Sequence, residues 1–413
     1  MLALWIIFFW GRVHDDPHRV RFAIWGGVAE QKAWAALAED FQKKHPAIPI
    51  SIQLIPGQYD VKLLAMLAAR TAPDLFSLPL ADFGPEGVLT PIERFMANDP
   101  NLPVDDLFDG MLRLGRWDGV QYALPATLGP QVLFFNIRHV EEAGLESPID
   151  LAKRGEWNWE RFLEYCQKLT RKGGEGRVVQ WGFLKYTPLW TYISLNGGKA
   201  FNEDFTQCYF DDPKVYEPIQ RLADLSLVHK VAPPPAVEAQ IGTWQAFARG
   251  DVSMFISGPW QVSRLKDMAD PYDIAPPPTE PGGRTITLAG VGTGIWVRSK
   301  RPEDAYRWIS YLTSRDALRI WAGLGFDIPA SRYLAGHMEE WANPHIIPPN
   351  FKLFYELIPS ILTPPPATSP FIPKKAQDLI NDTFTLVWTG KKDAKTAFGE
   401  MMPRVNQILR TGR

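Results

Sequence analysis

The chain has 413 residues, 46% of them apolar and 22% charged, with 44 basic against 46 acidic side chains and a formal charge of -2. Such a length exceeds what one hydrophobic core organises, so two lobes are expected, and the composition excludes both long disorder and a multi-pass membrane protein. The charges are spread without long blocks, which excludes the electrostatic footprint of a nucleic-acid or anionic-membrane partner and fits a neutral small ligand.

Leu2 to Trp10 is an unbroken apolar run, followed by Gly11, Arg12 and the polar stretch HDDPH. It is too short to span a bilayer, which takes about 20 residues, and has the length of a signal-peptide core. Residues 1–19 are therefore expected to be an export-signal remnant or a short anchor, with no nearby cysteine to take a lipid. Folding is expected to start at Val20, where VRFAIW reads as a strand. A helix follows, with Trp34, Leu37, Ala38 and Phe41 at helical spacing, and His45-Pro46 stops it. Ile48, Ile50, Ile52 and Leu54 then alternate with period two, a helix runs from about Asp60 to Arg70, and DLFSLPL (Asp74 to Leu80) is a third strand. This alternation predicts right-handed crossovers, a mainly parallel sheet, and ligand loops beyond the carboxyl ends of the strands, at Trp25 to Glu30 and Ala81 to Gly87.

A further strand, VLFFN, starts at Val132, and a helix over about 158–170 has Asn158 as N-cap and Trp159, Phe162, Leu163, Cys166 and Leu169 on one face. Helical patterns recur at about 213–229 and 242–249, the latter closed by Gly250 before the strand DVSMFIS. Proline clusters at 233–235, 276–278, 348–349 and 364–366 read as extended connections or loops, with amphipathic segments resuming after each. The C-terminal third reads as helical from Pro302, from Ala376 to Trp388 and from Asp393 to Leu409.

Catalytic signatures are largely missing: there is no His-Glu-x-x-His helix, Walker loop, Gly-x-Ser-x-Gly elbow or Cys-x-x-Cys pair. His14 and His18 flank Pro17 and make no helical metal pair, so neither a metal nor a cofactor is expected. Gly290, Gly292 and Gly294 lack the following helix of a dinucleotide fingerprint, because Ile295 to Arg298 reads as a strand. Cys166 and Cys208, the only cysteines, are expected as buried free thiols rather than a disulfide. The 16 tryptophans outnumber the 12 tyrosines, and indole faces suit the apolar C–H face of a pyranose. Trp34, Trp308 and Trp321 lie on helical apolar faces and belong to the core, whereas Trp25, Trp181, Trp190 and Trp260 fall near strand ends or turns and are candidates for a cleft.

A series of short segments then occurs in a telling order: APDLF (Ala72 to Phe76), YALP (Tyr122 to Pro125), LFFN (Leu133 to Asn136), WNWERFLEYCQKLT from Trp157, LNGG (Leu195 to Gly198), FARGDVSMFISGPW (Phe247 to Trp260) and IPASR (Ile328 to Arg332). In this order the chain resembles the extracellular solute-binding proteins of family 1, which include maltose-, oligosaccharide- and glycerol-phosphate-binding receptors. The resemblance implies an α/β, two-lobed periplasmic binding protein fold (type II-like) with three interlobe crossings and a cleft-bound ligand. It implies crossings near Thr127 to Gln131, Asp273 to Pro276 and Phe326 to Ala330. The lobes would be residues 20–128 plus 276–327 and residues 129–275 plus 328–413.

The same resemblance implies that GPW (Gly258 to Trp260) offers a stacking tryptophan and that Trp25, Gly26, Gly27, Glu30, Asp82, Asn136, Asn196 and Gly197 line the ligand. Asp82 would accept from hydroxyls. Arg332 and the amides of a glycine turn at Gly292, Thr293 and Gly294 would donate. Where maltose receptors carry an aromatic contact at the opening of a C-terminal helix, this chain reads FIPKKAQDL from Phe371, which argues against a linear maltodextrin. The implied function is the substrate-binding, non-enzymatic component of an ABC importer. It would be a monomer on the outer face of the cytoplasmic membrane, exported by its N-terminal signal, handing a sugar to membrane permease subunits. Arg332 and Arg284 leave a glycerol-phosphate-type or other anion receptor as the alternative, and a carbohydrate-active enzyme is the rival from another class.

Overall fold

The apolar strand at Val20 lies in the large sheet of the computed structural model, which describes residues 19–26, 28–79, 87–108, 112, 115–117, 119–185, 189–202, 205–281, 286–325, 327–358, 361–362 and 372–411. The sheet is mixed rather than mainly parallel, because Ile286–Ile295 runs antiparallel to both Leu75–Pro79 and Ala123–Pro130. Strand β1 (Val20–Trp25) pairs in parallel with β2 (Ile50–Ile55) along its whole length and with β3 (Leu75–Pro79) on its other side. Phe22, Ala23 and Ile24 are all buried, as a central parallel strand covered on both faces requires. Helix α1 (Val28–Lys44) returns over the sheet and buries Trp34, Leu37 and Phe41, with the Trp34 ring edge-on to Phe22 at 5.2 Å. Helix α2 (Tyr59–Ala68) makes the second crossover and buries Tyr59 and Leu63.

Four more strands complete this sheet: β4 (Ala123–Pro130), β8 (Ile286–Ile295), β9 (Ile328–Pro329) and β10 (Ile361–Leu362), in the order β9-β4-β8-β3-β1-β2 with β10 on β8. A three-stranded antiparallel sheet has β5 (Val132–Asn136) between β6 (Met254–Ser257) and β7 (Tyr272–Ala275). Each sheet centres its own apolar core: Phe22, Trp34, Phe41, Leu75 and Trp308 in one, Phe134, Trp157, Phe162, Phe183 and Phe255 in the other. Trp308 and Trp34 are buried as their periodicity predicts, and Trp321 is partly buried against Trp34 at 4.7 Å. A third cluster, around Phe210, Phe384 and Phe398, packs the later helices on one another.

Asn158 caps the helix α4 (Trp159–Leu169), its Oδ1 accepting from the Arg161 N–H at 2.9 Å; α3 (Ile137–Glu142) precedes it. Helices α5 (Leu189–Leu195) and α6 (Pro213–Leu227) follow. At the proline cluster 233–235 the chain is an extended connection through Pro234, as expected, and Pro235 opens α7 (Pro235–Ile241), where its missing N–H costs no helical hydrogen bond. Beyond it lie α8 (Gln261–Leu265), α9 (Pro302–Leu312), α10 (Lys374–Trp388) and α11 (Ala394–Thr411). Cys166 and Cys208 are free and buried in different clusters. Burial pushes the Cys208 thiol up to about 12 and the Cys166 thiol well above its usual range, so neither is a reactive thiolate.

Candidate functional site

The two sheets turn matching ends toward each other. Strands β1 to β3 are parallel and finish at Trp25, Ile55 and Pro79, and the register of β8 on β3 and β4 brings Leu288 and Pro130 to that same end. One residue past Pro130 the chain enters β5, whose first residue, Val132, pairs with Ser257 at the end of β6, while Leu133 pairs with Ala275 at the end of β7. The carboxyl ends of the parallel strands thus face the Val132, Ser257 and Ala275 edge of the small sheet, the position at which open α/β sheets bind ligands. Trp260 follows β6 by three residues and stands at this junction, partly exposed.

Several expected site residues gather here. The Trp25 ring lies edge-on to Tyr59 at 5.3 Å, and the Tyr59 hydroxyl donates to the Ser77 carbonyl at 2.7 Å, bracing the loop that leaves β1. Gly26 has φ 154, and a Cβ there would come within 3.1 Å of both Glu30 and Leu54. Glu30 opens α1 and reaches across the junction to Arg264 of α8, Oε1 to Nη2 at 3.5 Å. Sequence reading named Glu30 but missed Arg264; its signal was the placement one helical turn after Trp260, which gives both side chains the same face of α8. Gly27 and Asp82 lie outside the described residues.

Other expectations need correction. Gly292, Thr293 and Gly294 form no turn: they lie inside β8, paired to β3 on one side and β4 on the other. Glycine is needed there for close approach, since a Cβ on Gly294 would meet Leu89 at 2.8 Å, and a bulge falls between Val291 and Gly292. Their amides belong to the ladders, and the buried Thr293 hydroxyl pairs with Ser77 at 3.3 Å. Strand β8 also ends at Ile295, where a strand had been expected to begin.

Asn136 stands at the far end of β5, fully buried, its Oδ1 accepting from the His139 N–H at 3.0 Å and its Nδ2 donating to Asp270 at 3.0 Å, so it is a helix cap. Trp181 bridges to Val252, five residues before the junction end of β6, or roughly 17 Å away along the strand. Trp190 packs among Phe201, Phe210 and Phe384 with ring centroids at 5.8–6.0 Å. Asn196 is buried, donating to the Lys214 carbonyl and accepting from Arg221, and Gly197, with φ 70, turns the chain after α5. Arg332 donates from Nε to the Leu107 carbonyl at 3.2 Å and lies 5.1 Å over the Phe108 ring. Its guanidinium thus has protein partners, so Arg332 lends no support to an anionic ligand; Arg284 lies outside the described residues.

One constellation mimics an enzyme. His139 places Nδ1 3.0 Å from the Ser253 hydroxyl and Nε2 3.9 Å from Asp270. A serine nucleophile needs the opposite assignment, Nε2 toward serine and Nδ1 toward aspartate, together with an open approach. Ser253 is fully buried and also accepts from Gln180 at 3.0 Å, so the group is a sealed polar network. Among the described residues no cluster of three His, Cys, Asp or Glu side chains is arranged to hold a metal, and no helix is long and apolar enough to cross a membrane.

The network makes stability acid-sensitive in two windows. Burial, with Arg138 adjacent, holds the His139 imidazole below its ordinary 6.5, so the unfolded chain takes the proton first and stability declines as pH falls below that value. Hydrogen bonds from Arg138 hold the Asp270 carboxyl below 3.8, so its contribution persists above that value and disappears only in stronger acid. Urea midpoints should therefore fall between about pH 7 and about pH 5. In His139→Gln that fall should shrink; an unchanged slope would remove His139 from the account.

The sequence profile of the bacterial extracellular solute-binding proteins matches residues 25–318. An arabinooligosaccharide-binding protein of Halalkalibacterium halodurans is 25% identical over 293 residues, covering 68% of this chain and 62% of that protein. A maltotriose-binding protein of Pyrococcus abyssi is 22% identical over 268 residues, covering 62% of this chain and 53% of that one. The matched stretches thus span less than two thirds of these two relatives. Among solved structures, an ABC substrate-binding protein from Listeria monocytogenes in complex with cycloalternan superposes with a TM-score of 0.83 at 22% identity, covering 95% of this chain and 98% of that one. Maltose-bound MalE3 of T. maritima gives 0.77 at 19%, covering 94% and 99%. At such identities the structures speak to the fold, which is the two-lobed, mixed α/β binding-protein fold, and the profile match over most of the chain shows that the protein belongs to the bacterial extracellular solute-binding family.

Proposed function

We propose that this protein is the substrate-binding component of an ABC importer and takes a neutral sugar or oligosaccharide between its lobes. The observation that carries this reading is the Trp260 turn, partly exposed at the junction of the two sheets, where Arg264 of α8 reaches Glu30 at the start of α1. An apolar ring face with a few directed polar partners is what a pyranose requires. The relatives named for arabinooligosaccharides and maltotriose support the ligand class, and the engaged Arg332 lends no support to an anion. In this reading the lobes are residues 20–128 plus 276–327 and residues 129–275 plus 328–413. The second boundary is better drawn beyond Glu280, since Trp157 donates to the Pro276 carbonyl and Arg221 pairs with Glu280. Closure on the ligand biases the monomer toward its permease on the outer face of the membrane, to which an N-terminal signal delivers it.

A thermal-shift screen against arabinooligosaccharides, maltooligosaccharides and cyclic glucans tests this, because a ligand at 100 times its dissociation constant adds about 2.7 kcal/mol. Trp260→Ala should weaken any hit by roughly 1–3 kcal/mol. Chromatography of the same glycans after incubation should show no product. Silence across the panel would sink the sugar reading, and product formation the receptor one.

A further inference from the structure

The turn that carries Trp260 has a glycine whose backbone does not call for one. Gly258 has no positive φ, so it is not there for the left-handed conformation that favours glycine. What it lacks room for is a side chain: a Cβ built there falls 2.1, 2.4 and 2.6 Å from Cζ3, Cη2 and Cε3 of Trp260. The six-membered ring of the indole therefore fills the place a Cβ would take on Gly258, since these distances fall well inside the 3.5–4.0 Å that carbon atoms normally keep.

The backbone around this seat is held. The Gln261 N–H donates to the Gly258 carbonyl at 3.2 Å and the Val262 N–H to the Pro259 carbonyl at 3.0 Å. Gln261 Nε2 donates to the Ser257 hydroxyl at 3.0 Å, and both of these side chains are fully buried. Pro259 has a fixed φ and β6 anchors Ser257 on the sheet. With both ends tied, a methyl group at 258 displaces the indole rather than the chain. We propose that Gly258 is a positioning residue for ligand capture: its bare backbone seats the Trp260 ring, covering one face and leaving the other as a one-sided stacking platform. This rests on the reading of Trp260 as the sugar-stacking residue.

Biosynthetic labelling with 5-fluorotryptophan separates the two claims. Trp260→Ala identifies the Trp260 resonance in the fluorine spectrum by its loss, and Gly258→Ala should shift that resonance while leaving those of the distant tryptophans in place. Calorimetry with maltotriose and arabinotriose should show Gly258→Ala weakening binding about tenfold or more, comparably to Trp260→Ala. The double variant should bind no worse than Trp260→Ala alone, since both changes act through one ring. An unmoved Trp260 resonance, unchanged affinity in Gly258→Ala, or additive losses in the double variant would each overturn the proposal. If Gly258→Ala fails to fold while the double variant folds, the clash with the ring is demonstrated directly; if neither folds, the seat is wrong. Should the unaltered protein bind neither sugar, the ligand reading falls, and the fluorine spectrum still decides whether Gly258 seats the ring.

Discussion

Phe134→Ala is expected to lower the unfolding free energy by about 3–5 kcal/mol, the range for removing a fully buried aromatic side chain from a core. Phe134 lies at the centre of β5, the middle strand of the small sheet, with no exposed surface. Its ring stacks on Phe255 at 5.0 Å and Tyr272 at 6.0 Å, one from each neighbouring strand, and meets Phe354 at 6.4 Å. Truncation removes three aromatic contacts at once and leaves a cavity that strands tied on both edges close only in part. The consequence reaches function because the Val132 and Ser257 ends of these strands carry the junction and the Trp260 turn. Urea titration followed by far-UV circular dichroism measures the loss, and Phe134→Leu, which keeps most of the volume, should cost less than half as much. A loss below about 1 kcal/mol for the alanine variant would show that this sheet is not the core of its half.

Local pattern made much of the fold legible in advance. Strand β1, helices α1 and α4 and the Asn158 cap follow from apolar spacing and capping chemistry, which act over a few residues and survive in any tertiary setting. What failed depended on distant partners. Glycines alternating along 290–294 resemble a turn until Leu89 is placed beside them, and only then does the missing Cβ at Gly294 read as a packing requirement. Trp190 sits near a turn in sequence, yet Phe384, nearly two hundred residues later, covers it.

The site divides in the same way. Trp260, Trp25 and Glu30 were reachable because residues after the carboxyl ends of strands face the junction by topology alone. Arg264 was not, because its pairing with Glu30 joins segments that no periodicity connects. Asn136 and Asn196 illustrate the opposite error. Amide side chains that suit a sugar hydroxyl suit a helix cap or a backbone carbonyl equally well, and burial decides between them.

The ion pair of Arg221 and Glu280 yields the second large effect. Arg221, on α6, donates from Nη2 to Glu280 at 2.6 Å and to Asn196 at 3.0 Å, with its guanidinium 5.4 Å over the Trp159 ring. Glu280 has only 2% of its side chain exposed and lies on the segment between β7 and β8, where the chain passes from one sheet to the other. Burial raises the Glu280 carboxyl above its usual value while Arg221 pulls it back down. Arg221→Met keeps the length and apolar bulk of the side chain but strands a buried carboxylate, a change that costs about 3–5 kcal/mol near neutral pH. The sign of the pH dependence follows. A carboxyl raised in the folded state binds its proton more readily than in the unfolded chain, so the deficit is greatest above the folded value and shrinks as pH falls through it. Urea midpoints of Arg221→Met should approach those of the unaltered protein on acidification, and Arg221→Met with Glu280→Leu should recover most of the loss at neutral pH, since an apolar pair leaves no charge to desolvate. A deficit that is independent of pH and persists in the double variant would mean that Arg221 acts through packing on Trp159 instead, leaving Glu280 without a part in anchoring the crossing segment.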